Sequence, residues 1–275
     1  MTEREGRRWQ RALVTGASSG LGRAYALRLA AQGTHLILVA RDQRRLDEIA
    51  EQCRRNHGVE VEVLAADLAD DEQAKRVEKR LSAAPRVDLL INNAGIGTFG
   101  TFRSLPLDGE LRQLDLNVRA LVRLAHAAVK SMSEHGSGTV LNMSSIMALQ
   151  PSPGSAIYAA TKAFVTNFSE ALHEEARGTG VTVTAVMPGV VRTEFMRNAG
   201  QPHRLDSLPS FAWLTSDNVV ETSLRAAHKG KAISVPGLLY RLTAACIGVT
   251  PPGVVRWFAG VSARRLEAQS RPQKN

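Results

Sequence analysis

Short apolar runs alternate with stretches of helical character along almost the whole of this chain. Strands are expected at Ala12–Thr15, His35–Ala40, Val59–Ala65, Val87–Asn92, Gly138–Ser144, Val181–Met187 and Ala232–Val235, with helices in the gaps. Nothing else in the sequence restricts the fold so strongly. Strands joined through helices run parallel, and a parallel sheet needs cover on both faces. The expected fold is therefore α/β: a single-domain, doubly wound parallel sheet, Rossmann-like, with helices on both faces. In such a sheet the ligand binds beyond the carboxyl ends of the strands. Gly16, Arg41, Asp67, Asn93, Ser145 and Pro188 all stand at those ends. The 275 residues suffice for one large domain, and a 44 % hydrophobic content suffices for a packed core.

The first strand runs into Thr15-Gly16-Ala17-Ser18-Ser19-Gly20-Leu21-Gly22 and then a helix. Glycines let the backbone turn tightly and approach a ligand closely. The helix start adds unpaired N–H groups and the positive end of a dipole, which suit a pyrophosphate. The spacing is Gly-x-x-x-Gly-x-Gly rather than the commoner Gly-x-Gly-x-x-Gly. At the end of the second strand, an acid would bind the ribose 2′-hydroxyl of NAD. Here Ala40 takes that place and Arg41 follows, with Asp42 next. A guanidinium can clamp a 2′-phosphate, so the cofactor reads as NADP(H).

Tyr158 and Lys162 stand one helical turn apart, and Ser145 lies upstream in Asn142-Met-Ser-Ser-Ile146. A free tyrosine has a pKa near ~10 and is a poor acid or base at pH 7. A lysine on the same helix face is expected to favour the phenolate and lower that value. The serine can then hold a substrate oxygen while the tyrosine moves a proton. Such a group reduces a carbonyl or oxidises an alcohol. Ser144 is the rival of Ser145, with a supporting place on the nicotinamide side expected for it. Many solvated helices carry a Tyr-x-x-x-Lys pair, so it is the glycine turn at the other end of the chain that gives this one weight.

Composition removes other classes. Cys53 and Cys246 are the only cysteines, which argues against a disulfide framework or thiolate metal site, and the seven histidines are scattered without metal-ligand spacing. No metal is expected. The net charge of +9 raises nucleic acid binding, but the basic residues are interleaved with acids and lack aromatic platforms. No nucleic acid partner is expected. No secretory signal and no membrane span are visible, so the expected setting is cytoplasmic.

The expected organisation is an N-terminal extension (1–10), a catalytic domain (11–235) with a substrate loop at 190–215, and a C-terminal helical extension (236–275). The loop holds Gly200, Pro202, Pro209, Phe195, Phe211 and Trp213. The extension has an apolar run from Leu238 to Val249, a break at Thr250-Pro251-Pro252-Gly253, and a second helix through Leu266. Arg241, Arg256, Arg264, Arg265, Arg271 and Lys274 oppose only Glu267. That pattern allows peripheral membrane contact, but packing on the substrate loop or a neighbouring subunit is the favoured expectation. Pocket candidates are Ile146, Met147, Leu149, Ile157, Phe195, Met196, Phe211 and Trp213, which suit a small apolar carbonyl or alcohol.

Taken in order, these motifs resemble the short-chain dehydrogenase/reductase family from about Arg11 to Val235. The resemblance implies cofactor contacts at Gly16, Ser18, Ser19, Gly20, Leu21 and Gly22. It implies further contacts at Asp67 and Leu68 on the adenine, at Asn93, Ala94 and Gly95 beside the adenosine, and at Pro188, Gly189, Val191 and Thr193 on the nicotinamide side. It implies catalysis by Asn117, Ser145, Tyr158 and Lys162. Ser145 would bond the carbonyl oxygen, Tyr158 would donate the proton, Lys162 would also hold the nicotinamide ribose, and Asn117 would order a water. It also implies a homodimer or homotetramer: the helices following Leu107 and containing Tyr158 have apolar positions on more than one face, as in Leu116, Leu121, Leu124, Phe164, Phe168 and Leu172, so that one face must cover the sheet and the other could pair across a two-fold axis. Two alternatives stay open: a non-catalytic NADP-sensing binding protein, and a membrane-surface lipid or steroid ketoreductase.

Overall fold

The computed structural model describes residues 9–199 and 208–269. Its elements alternate as β1 (Arg11–Thr15), α1 (Gly20–Ala31), β2 (His35–Ala40), α2 (Gln43–His57), β3 (Val61–Ala65), α3 (Asp71–Leu81) and β4 (Leu89–Asn92). Next come α4 (Leu107–Leu114), α5 (Leu121–Glu134), β5 (Gly138–Met143), α6 (Ala156–Glu175) and β6 (Val181–Val186). The chain ends through α7 (Phe195–Asn198), α8 (Ser216–His228), β7 (Ile233–Ser234), α9 (Leu238–Val249) and α10 (Pro252–Gln269). A π-helical turn, Asp115–Ala120, joins α4 to α5. The strands sit where the apolar runs placed them, shorter by one or two residues at several ends.

All strands pair in parallel in the order β3-β2-β1-β4-β5-β6-β7. Successive residues of a strand point to opposite faces. Val14, Leu36, Leu38 and Ile91 therefore join a core under α1, α2 and α8. Leu13, Ile37, Val39 and Leu90 join the other, under α3 and α5. Both faces are covered, as a parallel sheet requires. Trp9 is buried in the first core, stacks on His228 with ring centroids 3.8 Å apart, and donates from Nε1 to Thr139 at 3.1 Å. The folded unit thus takes in residues that the sequence assigned to the N-terminal extension; residues 1–8 lie outside the described ones.

The interface candidates divide. Leu121 and Leu124 lie in the core, and Leu116 and Leu172 pack against it. Phe164 is exposed and stacks on Phe168 with centroids 5.7 Å apart, and Leu111 and Leu114 of α4 are exposed as well. One apolar face thus covers the sheet, as expected, and the other stays at the surface.

The chain leaves β1 toward one sheet edge and returns through β4 toward the other, so these two neighbours form the switch point where a crevice opens. One buried hydroxyl joins them. Thr15 Oγ1 accepts the N–H groups of Asn93 and Ala94, each at 2.9 Å, and donates to the Ile91 carbonyl at 3.2 Å. Asn93 Nδ2 returns a bond to the Thr15 carbonyl at 2.9 Å. The substitution Thr15→Val keeps the shape, strands the Ala94 N–H and leaves the Asn93 N–H only the Ile91 carbonyl at 3.0 Å. We expect a loss of about 1–3 kcal/mol, the cost of one buried unpaired group, read by urea unfolding.

Candidate active site

The glycine turn is built for close approach. Gly16 and Gly20 have φ of 66° and 52°, a region that side chains disfavour. A Cβ on Gly22 would collide with the Gly16 carbonyl, so only glycine lets α1 start this close to β1. The start of α1 also lacks a side-chain cap, although Ser19 holds the N-cap position. By contrast, Asp42 caps α2, Asp70 caps α3 and Thr215 caps α8. Unclaimed N–H groups at the one helix that follows the glycine turn fit an anionic cofactor. A cavity of about 780 Å³ opens beside the turn, lined by Ser18, Ser19, Gly20, Arg23, Arg45, Arg192 and Thr193 among others. Tyr158 does not line it, so it belongs to the phosphate end and not to the substrate.

Arg41 is exposed at the end of β2 and carries no hydrogen bond or salt bridge among the described residues, while its neighbour Arg45 pairs with Glu194 at 3.1 Å. Asp42 is committed to the Arg45 N–H at 3.0 Å as the cap of α2, which removes it from the position of a ribose-binding acid. Asp67 has its carboxylate paired with Arg112 and bonded to the Ala69 N–H. Burial alone would raise its pKa, but these bonds and the charges of Arg112 and Arg41 hold it below the usual range. Leu68 is buried in the core beneath it. The Asn93 side chain points at the glycine turn, which leaves the backbone of Asn93, Ala94 and Gly95 to line the crevice.

Ser145, Tyr158 and Lys162 converge. Ser145 follows β5 in extended conformation and caps a 3₁₀ turn, Ile146–Leu149, by accepting from Met147 N–H at 3.2 Å. The Tyr158 hydroxyl lies close enough to the Ser145 side chain for the serine to lower its pKa. Lys162 Nζ donates to the Met143 carbonyl at 2.8 Å and lies 5.6 Å from the Tyr158 ring centroid. A Cβ on Gly95 would stand 3.4 Å from that ammonium and 3.2 Å from Asn117 Oδ1, so the end of β4 reaches the same place. Asn117 sits in the π turn, a common mark of functional sites. Its amide donates to the Ile96 carbonyl at 2.9 Å and to Thr161 at 3.2 Å, and accepts from the Ile96 N–H at 3.0 Å.

Several expectations need correction. Tyr158 is not lowered by Lys162 in the protein alone. Burial pushes it up to about 12, with Ser145 offsetting part of the rise. Burial also pulls Lys162 down to about 8. Desolvation outweighs the mutual attraction because both groups are enclosed. Ser144 does not face the nicotinamide side: its hydroxyl donates to the Lys162 carbonyl at 2.8 Å and meets Thr166 at 2.7 Å, tying β5 to α6. Phe211 is too exposed to line a closed pocket, and Trp213 is engaged by Arg192, 5.0 Å from its ring. The side chain of Met196, and residues 200–207 with Gly200 and Pro202, lie outside the described residues. Phe195 does reach the site, with its ring centroid 5.5 Å from that of Tyr158; Phe99 is the other neighbour at 6.4 Å.

Tyr240 carries no signal that sequence reasoning picks out. It is the one buried residue of α9, and its ring occupies the space that a Cβ on Gly189 would need. Its hydroxyl donates to the Ala212 carbonyl at 2.6 Å and accepts from the Val190 N–H at 3.0 Å. The neighbouring Val191 bridges to Leu214 and packs on the core, and Pro188 accepts from Ile146 N–H at 3.0 Å. Thr193 lies against Gly20, 3.4 Å from where a Cβ would be. The loop after β6 is thereby held between the glycine turn, the serine turn and α9.

The family model described as short chain dehydrogenase matches residues 10–204. The chain is 38 % identical over 201 residues to sulfoacetaldehyde reductase 2 of Chromohalobacter salexigens, covering 71 % of this chain and 79 % of that one. It is 34 % identical over 190 residues to the mouse very-long-chain 3-oxoacyl-CoA reductase, covering 68 % of this chain but only 61 % of that protein's length. A short-chain dehydrogenase from Sphingobium yanoikuyae in complex with NADPH superposes with a TM-score of 0.79 at 36 % identity, over 97 % of both chains. The bulky-bulky ketone specific alcohol dehydrogenase from Comamonas testosteroni gives 0.75 at 31 % identity, over 98 % and 97 %. The chain belongs to the short-chain dehydrogenase/reductase family. It is a dehydrogenase/reductase acting on CH–OH and C=O groups.

The pKa of Lys162 has a measurable consequence. Between about 8 and the ordinary ~10.4, the unfolded chain holds this proton and the native state does not, so stability rises with pH. Relative to Lys162→Met, the wild type should gain about 2 kcal/mol from pH 8 to pH 10 without cofactor, read by chemical unfolding at each pH.

Proposed function

We propose that the protein is an NADP(H)-dependent carbonyl reductase and alcohol dehydrogenase for apolar, bulky substrates. The observation that carries this reading is the enclosed meeting of Ser145, Tyr158 and Lys162 at the open ends of β4 and β5. The cofactor, held along Gly16–Gly22, Arg41, the Asn93–Gly95 backbone and the Pro188–Thr193 loop, supplies or accepts the hydride. Tyr158, protonated through neutral pH because of its burial, gives its proton to the substrate oxygen. Ser145 Oγ donates to the same oxygen and fixes its distance from the phenol. Lys162 spends one of its three donors on Met143 and keeps the others for the cofactor ribose. Asn117 secures Ile96 and α6, and so acts on the chemistry by position.

Phe99 and Phe195 flank Tyr158, and the 3₁₀ turn adds Ile146 and Met147. Among the described residues no charged group other than the buried Lys162 is placed beside the phenol, which favours an uncharged ketone or aldehyde over an anionic one. Assembly as a homodimer or homotetramer would use the exposed Phe164, stacked on the half-buried Phe168, with Leu111 and Leu114. A role as a silent NADP sensor is the weaker reading, since it leaves a fully equipped proton donor without a use.

Two outcomes are expected. In a panel of ketones and aldehydes followed at the nicotinamide absorbance, the wild type reduces apolar ketones with NADPH. Tyr158→Phe binds cofactor normally and loses at least about 10²-fold in turnover, the scale of a general acid. Undiminished turnover in Tyr158→Phe on a verified substrate would sink the assignment. Arg41→Ala should weaken NADPH at least about tenfold, as loss of a charge-assisted bond does, and leave NADH unchanged in fluorescence titration.

A further inference from the structure

Helices α9 and α10 each carry an apolar stripe at helical spacing, and in both the stripe faces outward. Leu238, Leu242, Ala245 and Val249 follow one another four, three and four residues apart along α9, and all are exposed, Val249 by 85 %. In α10 the residues are Val254, Trp257 and Phe258. Trp257 is 62 % exposed, and its ring meets that of Phe258 edge-on with centroids 4.9 Å apart. Such a stripe ordinarily faces a core. Exposed stripes on two consecutive helices are apolar surface of the kind that marks an interaction site. The favoured expectation that the extension covers the pocket is met by Tyr240 alone among the residues of α9. The break at Thr250–Gly253 separates the stripes without burying either.

Charge selects the partner. From Thr222 to Leu266 the sequence contains no Asp or Glu, while Arg241 and Arg256 are exposed among the apolar residues. A second copy pairing through this face would set each guanidinium against a stretch, 222–266, that carries basic residues and no acid. An anionic lipid surface accepts both halves: the apolar side chains enter the headgroup boundary, with tryptophan at its preferred depth, and the arginines meet phosphates. We propose that α9 and α10 form a peripheral docking face for anionic membranes. Among the described residues no helix is long and apolar enough to cross a membrane, so the element lies on the surface. Through Tyr240 it is bonded to the loop that follows β6, which places the docked face beside the proposed substrate entrance. Apolar substrate dissolved in the bilayer would then reach Tyr158 without crossing water.

The test is co-sedimentation of the full chain with vesicles of phosphatidylcholine, with and without phosphatidylglycerol, in the absence of cofactor and substrate. Its result is thus independent of any turnover. The wild type should sediment with the anionic vesicles at low salt and be released at high salt. Trp257→Ser/Phe258→Ser and Arg241→Gln/Arg256→Gln should each weaken binding at least about tenfold, since each basic residue near such a surface contributes about one factor of five. Both variants alter exposed residues and should keep the wild-type thermal midpoint. A wild type that stays in the supernatant overturns the proposal. So does vesicle binding that is insensitive to salt or to either pair of substitutions. If light scattering shows an oligomer that Trp257→Ser/Phe258→Ser dissolves, without vesicle binding by the wild type, the face belongs to a second copy and the proposal fails.

Discussion

The hydrogen-bonded junction of Thr15 with Asn93 and Ala94 sits where the sheet changes direction, and both halves of the site hang from it. A parallel sheet that winds outward from two central strands opens a crevice at their carboxyl ends. Those ends have lost their ladder partners, so their backbone groups need others. The Thr15 hydroxyl and the Asn93 amide provide them, at 2.9 Å in each case. The glycine turn is then fixed on one side and the Asn93–Gly95 backbone on the other. Gly22 can start α1 against the Gly16 carbonyl only because that turn does not move. Gly95 in turn approaches Lys162 and Asn117 closely enough to link the cofactor crevice to the proposed proton donor, Tyr158.

Burial works against charge at that donor. An exposed lysine would remain fully charged, yet enclosure brings Lys162 down to about 8 and takes Tyr158 up to about 12. For carbonyl reduction this is the useful direction. A neutral phenol is the form that can give a proton, and an enclosed ammonium with two unused donors is poised for ligand oxygens. The reverse reaction asks for the phenolate, which this environment disfavours, so alcohol oxidation should gain from rising pH while reduction does not.

The layered sheet and the ordered motifs were legible because they are local: apolar period, glycine spacing and a helical turn between Tyr158 and Lys162. What was not legible depends on contacts between distant parts of the chain. The sequence cannot say that Ser144 turns to the Lys162 carbonyl, or that Asp42 is spent on capping α2. Apolar spacing alone does not say which face of α5 covers the sheet, and it is the face of Leu121 and Leu124 that does. Phe211 reads as a pocket residue from its place in the loop and is exposed, because α9 supports the neighbouring Ala212 and not the ring.

Gly189 shows how a motif can have a cause outside itself. Read alone, a glycine after Pro188 suggests close approach of a ligand. Its α-carbon in fact faces the ring of Tyr240, with no room for a side chain. That tyrosine bonds the two ends of the segment after β6, at Val190 and at Ala212. One rigid ring and two hydrogen bonds therefore tie α9 to that segment. A helix whose inner face braces this loop, and whose outer face is apolar and basic, couples whatever it rests on to the geometry of the loop above Tyr158.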